Sequence, residues 1–161
     1  MAHARLGIAE ENSGKLVSEV RRHAARIAQE LQYPLIIADG PPGTSCPVIA
    51  SITGVDHVLI VTEPTVSGVH DLERVLTLSR HFGVPTSVVI NKADLNLEQA
   101  QRIHQMAEQA RSRVIGEIPF DRNIHDALME GKTVLEYGKG PAVDVLKQIW
   151  TELRKEMNIS S

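Results

Sequence analysis

The stretch I-I-A-D-G-P-P-G at residues 36–43 lies at the end of an apolar run and indicates how the chain folds. Residues 35–38 predict a buried strand that ends at Asp39, and the glycines and prolines that follow break the chain into a tight turn. A carboxylate fixed directly after a buried strand can hold a hard cation. The alternative is that Asp39 only starts a turn, because Asp and Gly are common turn residues.

Composition is that of an ordinary globular protein. The 161 residues are 42% hydrophobic and 23% charged, with a formal net charge of -3, and this length supports one domain with a core. Such a charge gives no indication of the clustered basic face that binds nucleic acid. No apolar run approaches the roughly 20 residues that cross a bilayer, and the start lacks the apolar centre of a signal peptide. We therefore expect a cytoplasmic protein with a single domain over residues 1–161, no nucleic-acid partner and no transmembrane segment.

Strand-like and helix-like segments alternate along the chain. Further apolar runs predict strands over residues 58–62, 86–90 and 114–118. The 3.6-residue pattern and the turn signals predict helices over residues 13–31, 67–82, 97–111 and 142–157, with Asn96 as the cap of the third. Aromatic residues are only 3%, so aliphatic side chains must build the core, as in strands that are buried on both faces. The repeated order predicts an α/β fold with three α/β/α layers and a mostly parallel sheet.

The four predicted strands all end in polar or turn-forming residues, at 39–44, 62–65, 91–94 and 119–122. In an open parallel sheet, ligands bind beyond the carboxyl ends of the strands. We therefore expect these segments to form one rim, where a nucleotide would bind. Glu63 in the second segment either faces this site or is a solvated loop residue, and we favour the loop residue. Ser67 is expected to cap the following helix.

Asn91 carries both a donor and an acceptor, and so can read the exocyclic amine and ring nitrogen of a purine. A residue that only caps or turns the chain is an equal alternative from this segment alone. Residues 91–94 read N-K-A-D, which is similar to the guanine-reading N-K-x-D string of GTPases, so a GTPase is a further hypothesis. Pro119 and Asp121 can line the base pocket, with a plain turn as the equal alternative.

Cys46 is the only cysteine, which excludes an internal disulfide. We expect it to be a small buried apolar group, the usual fate of a free cysteine. The alternatives are a redox role or participation in a cluster between subunits. One cysteine cannot hold an iron–sulfur cluster by itself, because such clusters normally have four ligands.

The string at residues 36–43, together with C-P-V-I at 46–49, resembles the MinD/ParA/Mrp class of P-loop ATPases. The resemblance continues in the same order through N-S-G-K-L-V at 12–17, T-E-P-T at 62–65, V-I-N-K-A-D-L-N at 89–96 and G-E-I-P-F-D at 116–121. Within that class the chain looks most like the MinD-superfamily ATPase that carries an inserted ferredoxin domain with two [4Fe–4S] clusters. The resemblance implies a partial P-loop NTPase domain with ATP and Mg²⁺ as cofactors.

The resemblance also implies roles in the first of these strings. Asp39 matches the Walker B aspartate, which would make it both the catalytic and the metal-holding residue. Gly43 matches the switch glycine whose amide meets the γ-phosphate, and Gly40 and Pro42 lie in the same nucleotide-binding turn.

Three further positions match the residues around the base in this family. Asn91 matches the residue that reads adenine. Pro119 and Asp121 match the loop that flanks the base. Members hydrolyse ATP, usually as a dimer with two nucleotides at the interface, so the resemblance implies a homodimer.

One family feature is missing from the sequence. Such ATPases begin with a strand and a K-G-G-x-G-K-[ST] loop, and neither this string nor a cysteine-rich insert occurs in the 161 residues. We expect the C-terminal portion of a longer ATPase that is linked to iron–sulfur or electron-transfer chemistry, with [4Fe–4S] clusters only in the missing insert and a redox protein as partner. The isolated chain is then expected to be inactive and to bind ATP weakly or not at all. A non-catalytic scaffold or docking subunit is the alternative.

Overall fold

The computed structural model describes residues 13–41, 43 and 45–159. Backbone contacts divide the chain into two compact units, residues 1–55 and 56–161. The first unit contains two helices and the Asp39 turn, and the second contains the sheet. The single domain expected over the whole chain stays a prediction.

In the first unit, α1 (Ser13–Glu30) packs against α2 (Cys46–Ile52). Arg21 of α1 binds the C-terminal end of α2: its Nη1 donates to the carbonyl oxygens of Ala50 at 2.7 Å and of Thr53 at 2.6 Å. The last carbonyls of a helix lack intrahelical donors, so a cation is favoured there. Arg21 therefore fixes the helix that follows the Asp39 turn.

The strand predicted over residues 35–38 is not formed. This segment has neither helix nor strand structure, and Ile36 and Ile37 are 47% and 80% exposed. A strand needs a neighbouring strand to pair its backbone N–H and C=O groups. The sheet formed by the described residues has three strands, and none of them includes residues 35–38. An apolar run is therefore not enough to make a strand when no partner strand pairs with it.

The second unit repeats the order strand, helix, strand. Its strands are β1 (Val58–Thr62), β2 (Thr86–Asn91) and β3 (Arg113–Ile118). Its helices are α3 (Val66–His81), α4 (Leu97–Gln109), α5 (Arg122–Met129), α6 (Val134–Tyr137) and α7 (Pro141–Glu156), with a 3₁₀ turn at Ala93–Leu95. The three strands predicted in this part of the sequence are confirmed.

The sheet is parallel throughout and has the order β1-β2-β3. Its register shifts between β2 and β3, because Val88 pairs with Val114 whereas Val89 pairs with Gly116. Ile115 is therefore the extra residue of a bulge in β3.

Helices cover both faces of this sheet, which gives the three-layer α/β arrangement that the sequence predicts. Helices α3 and α4 bury one face, around Val69, Leu72, Leu76, Val88, Ile90, Ala93, Ala100, Ile103 and Ala107. Helix α7 buries the other face, around Val89, Ile115, Ile118, Ala142 and Ile149. The aliphatic composition suits β2, whose side chains from Ser87 to Ile90 are buried.

Helix α7 lies close to β3 at Gly116. A Cβ on this residue would overlap Ile149 Cγ1 and lie 2.7 Å from Ile149 Cδ1. A residue without a side chain is therefore needed for Ile149 to pack onto the sheet.

The helix caps confirm one sequence expectation and correct another. Asn96 caps α4 as expected, since its side chain accepts a hydrogen bond from Gln99 N at 3.0 Å. Ser67 is not the cap of α3. Thr65 caps that helix instead, through a 3.0 Å hydrogen bond from Gly68 N, because it is the last residue with an extended backbone before the first helical turn.

Helices α5 and α6 were not predicted from the sequence. Each follows a residue that could have indicated it. Asp121 caps α5, and Thr133 forms a reciprocal capping box with Glu136 at the start of α6. The T-x-x-E string at residues 133–136 is the signal that sequence reasoning missed.

Candidate functional site

Polar side chains follow the three strands at one edge of the sheet in the second unit. The carboxyl ends of parallel strands meet at the same edge, and β2 and β3 end level because Asn91 pairs with Ile118. Glu63, Asn91 and Pro119 therefore leave their strands side by side. The structure thus brings together two of the predicted site positions and adds Glu63, which was expected to be a solvated loop residue.

Glu63 contacts both residues at the end of β2. Its Oε1 lies 2.8 Å from Lys92 Nζ and accepts a hydrogen bond from Asn91 Nδ2 at 3.3 Å. The Glu63 and Lys92 side chains are 41% and 39% exposed, so solvent weakens their ion pair. Glu63 is thus an exposed loop residue, as expected, and its carboxylate also accepts from two donors at the end of β2.

The Asn91 side chain has one orientation in this cluster. A carboxylate accepts hydrogen bonds and donates none, so the amide nitrogen of Asn91 is the atom that must face Glu63. Asn91 Oδ1 then points away from the carboxylate, and it accepts no hydrogen bond from the residues that the structure describes. A free acceptor is therefore presented at the carboxyl end of β2.

The chain turns sharply after Asn91. Lys92 has a φ of 54° in the left-handed region, which is uncommon for a residue with a side chain. Two residues later, Asp94 Oδ1 accepts a hydrogen bond from the Phe120 backbone N–H at 2.7 Å. This bond ties the loop after β2 to the loop after β3, where Pro119 is half-buried.

Asp121 is buried, with 9% of its surface exposed, and both of its carboxylate oxygens are engaged. Oδ1 accepts from Asn123 N at 2.9 Å and from Asn123 Nδ2 at 2.7 Å. Oδ2 accepts from Ala142 N at 3.2 Å. Asp121 therefore joins the first turns of α5 and α7. These contacts do not test the predicted position of Asp121 beside the base, but they show that its carboxylate connects two helices.

The hydrogen bonds of Asp121 determine its ionisation. Burial alone would raise the pKa of this carboxyl group, but the hydrogen bonds from the Asn123 side chain, the Asn123 backbone and the Ala142 backbone together hold the pKa below its ordinary value. Gly140 makes the close approach possible, since its φ is 94° and a Cβ there would overlap Asp121 Oδ2.

The remaining predicted site residues belong to the first unit. Asp39 and Gly40 are exposed and Gly43 is half-buried, and Gly43 has a φ of 85° that favours glycine. Pro42 lies outside the described residues. The left-handed backbone of Gly43 allows the close approach to a phosphate that is expected of the predicted turn.

The chemistry of this turn fits Mg²⁺. Asp39 is exposed, so its carboxylate is accessible to a hard cation. Mg²⁺ typically keeps several waters and binds proteins through one or two carboxylates together with substrate phosphates. One exposed aspartate is therefore a sufficient protein ligand. Residues 13–41, 43 and 45–159 contain no cluster of three or more His, Cys, Asp or Glu side chains suited to a metal ion.

Cys46 is exposed, so the expectation that it is a buried apolar group is wrong. It is the first residue of α2, where the helix points the side chain away from the two buried positions, Val48 and Ile52.

Among the helices that the structure describes, none is long and apolar enough to span a membrane.

The turn that carries Glu63 depends on Gly68. A Cβ on Gly68 would overlap the Glu63 carbonyl oxygen and lie 3.0 Å from Thr62 Oγ1. Thr62 Oγ1 also donates to the Gly68 carbonyl at 3.1 Å. These contacts fix the backbone of Glu63 against the start of α3. The sequence signal for this functional position was a carboxylate directly after an apolar strand, the same signal that pointed to Asp39.

The chain is similar to known families and proteins over most of its length. A family model described as "ParA: NUBPL iron-transfer P-loop NTPase" matches residues 18–154. An uncharacterized protein of Methanocaldococcus jannaschii is 29% identical over 150 residues, which are 93% of this chain and 49% of that protein. An uncharacterized ATP-binding protein of the same organism is 25% identical and is matched over 70% of this chain and 42% of its own length. The chain thus spans about half the length of the curated relatives it matches.

Solved structures of MinD share the fold. The MinD cell division protein of Aquifex aeolicus matches with a TM-score of 0.68 at 21% identity, over 92% of this chain and 62% of its own. MinD of Pyrococcus horikoshii, solved in complex with Mg-ADP, matches with a TM-score of 0.69 at 18% identity, over 92% of this chain and 59% of its own. These structures show the fold, and the family model supports the MinD/ParA/Mrp resemblance that the strings at the strand ends indicate.

Proposed function

This chain belongs to the family of ParA/NUBPL iron-transfer P-loop NTPases, and we propose that it supplies the metal turn and the base-reading rim of an enzyme that binds and hydrolyses ATP. The observation that carries the proposal is Asn91, which presents a free side-chain oxygen at the carboxyl end of β2 beside Pro119. That edge is where ligands bind in open α/β sheets. Pro119 and Asp121 would then shape the loop beside the base.

The metal turn has a distinct part in this proposal. Asp39 would hold Mg²⁺ and thereby neutralise charge on the phosphates, which is the main electrostatic requirement of phosphoryl transfer. The Gly43 amide would meet the γ-phosphate, with Gly40 and Pro42 in the same turn. The exposed Asp39 carboxylate and the left-handed Gly43 support these roles.

We further propose that the phosphate-cradling loop comes from polypeptide outside these 161 residues. No K-G-G-x-G-K string occurs in the sequence, and the chain spans about half of its curated relatives. The complete protein would act in the cytoplasm as a homodimer that is linked to iron–sulfur or electron-transfer chemistry. The iron-transfer description of the family supports that link. Any [4Fe–4S] clusters would belong to the additional polypeptide, and a redox protein would be the partner.

A nucleotide titration of the 161-residue chain tests the proposal. Adenosine should shift the backbone amide NMR signals of residues 91, 120 and 121 with millimolar affinity, because the base-reading rim is present. Mg-ATP should bind little more tightly than adenosine, because the loop that binds its phosphates is absent from the chain. A rim that does not respond to adenosine would refute base reading. Micromolar binding of Mg-ATP in calorimetry would refute the missing-loop proposal.

The codons upstream of residue 1 separate this function from a non-catalytic scaffold. An open reading frame that encodes a K-G-G-x-G-K loop and two runs of cysteines would establish the ATPase. A true start at Met1 would favour the scaffold or docking subunit.

A further inference from the structure

We propose that Glu63 is a positioning residue that fixes the amide orientation of Asn91 and so makes the site prefer a 6-amino purine over a 6-oxo purine. This inference rests on the proposed function, in which Asn91 reads the base. It adds a second residue, on a different strand end, that decides which base is read.

The inference begins with the symmetry of an asparagine side chain. The amide oxygen and nitrogen have nearly the same shape, so a half-turn exchanges an acceptor for a donor at little steric cost. Glu63 removes that ambiguity, because its Oε1 lies 3.3 Å from Asn91 Nδ2 and a carboxylate would repel the amide oxygen. Asn91 Oδ1 and the second Nδ2 proton therefore remain for a ligand, with the acceptor and the donor in fixed places.

A free acceptor distinguishes the purines by the group at position 6. The amino group of adenine donates hydrogen bonds, whereas the oxo group of guanine or hypoxanthine accepts them. Asn91 Oδ1 can pair with the former and would face the latter with two acceptors in contact. Sites built around a specific hydrogen bond discriminate strongly, because a mismatched ligand leaves polar groups unpaired.

The position of the Glu63 carboxylate is itself determined by the structure. Lys92 Nζ holds the same Oε1 at 2.8 Å. The Glu63 carbonyl oxygen accepts a hydrogen bond from Thr65 N at 2.8 Å, and Gly68 lets the first turn of α3 pack against this carbonyl. Both the backbone and the side chain of Glu63 are thus fixed next to Asn91.

The first experiment needs no ligand. In the 161-residue chain, Glu63→Gln should shift the Asn91 side-chain NH₂ signals in ¹H–¹⁵N NMR spectra, since a glutamine can donate or accept and no longer fixes the amide. Glu63→Asp should shift them too, because the shorter carboxylate withdraws from Nδ2 while keeping its charge. The matched control is Glu108→Gln, an exposed residue of α4, which should leave these signals in place. Unchanged Asn91 signals in both Glu63 variants would overturn the inference.

The second experiment measures selectivity with adenosine and inosine, which differ in the chemistry at position 6. Unaltered chain should bind adenosine more tightly than inosine. Glu63→Gln and Glu63→Asp should each reduce that preference about fivefold, the value of one net hydrogen bond. The Glu108→Gln variant should keep the preference. Backbone amide spectra of each variant report whether the fold is retained.

The outcomes separate the two proposals. If the unaltered chain binds neither nucleoside at the rim, the proposed function fails and the role of Glu63 fails with it. If adenosine binds preferentially and the Glu63 variants keep the full preference, the proposed function stands and the role of Glu63 is overturned. If the preference is lost in the Glu63 variants alone, the inference is supported.

Discussion

Replacing Asp121 with alanine should destabilise the second unit by about 2–4 kcal/mol. Two losses combine. Removing the side-chain cap of α5 costs about 1 kcal/mol, since Asn123 N loses its partner at 2.9 Å. The N–H of Ala142, a residue with 0% exposure, loses its 3.2 Å bond to Oδ2, and an unsatisfied buried donor costs about 1–3 kcal/mol.

Urea denaturation followed by circular dichroism measures this loss. With a slope near 2 kcal/mol per molar urea, the midpoint should fall by about 1–2 M. Asp126→Ala is the matched control, because Asp126 is exposed on the same helix and its replacement should change stability by less than about 0.5 kcal/mol. Asp121→Asn should also lose most of the stabilisation from the hydrogen bond of Ala142 N. An asparagine has only one side-chain oxygen, so its NH₂ group must face either the Asn123 donors or the Ala142 N–H. A loss in Asp121→Ala no larger than in the control would refute the argument that Asp121 joins α5 to α7.

Two other perturbations follow from the same unit. Gly116→Ala should lower the free energy of unfolding by at least about 1–3 kcal/mol, since the new methyl group overlaps Ile149. In the same urea assay, Gly116→Ala should cost less in an Ile149→Ala background than in the unaltered chain, because the overlapping side chain is then absent. His57 has a 6% exposed side chain and contacts Ser87 at 2.8 Å. Burial lowers its pKa below 6.5, and the nearby Glu156 only partly opposes this. As the pH falls, His57 therefore becomes protonated at a higher pH in the unfolded chain than in the folded chain. Its contribution to the free energy of unfolding should be complete above pH 6.5 and should decline as the pH falls below that value. His57→Gln should remove that part of the pH dependence, and an identical pH profile in this variant would contradict the assignment.

Local signals in the sequence account for the parts of the second unit that were predicted. The run at residues 86–90 is apolar apart from its polar start, and its neighbours on both sides can be recognised independently, so β2 forms where the pattern indicates. Asn96 could be assigned as a cap because the residues that it caps lie within one turn of it. Such information is contained in a few adjacent residues.

Features that depend on distant residues could not be predicted in this way. The run at residues 35–38 has the composition of a strand, but strand formation depends on a pairing partner elsewhere in the chain. Asp121 was identified as a site residue, yet its bond to Ala142 joins positions that are remote in sequence. The contacts of Glu63 could not be predicted because its partners, Asn91 and Lys92, follow a different strand. The sequence located the rim, and only the packed sheet shows which rim residues bind one another.

The N-K-A-D string at residues 91–94 shows why the contacts between rim residues matter for nucleotide choice. A guanine reader needs a donor for the 6-oxo group and a carboxylate for the neighbouring ring N–H and amino groups. In this structure one N–H of Asn91 Nδ2 binds Glu63, and one oxygen of Asp94 accepts the Phe120 N–H. In the proposal above, the contact with Glu63 sets the orientation of the amide, and Oδ1 would pair with the amino group of adenine. The string alone therefore does not determine the base, because the partners of Asn91 and Asp94 follow the neighbouring strands.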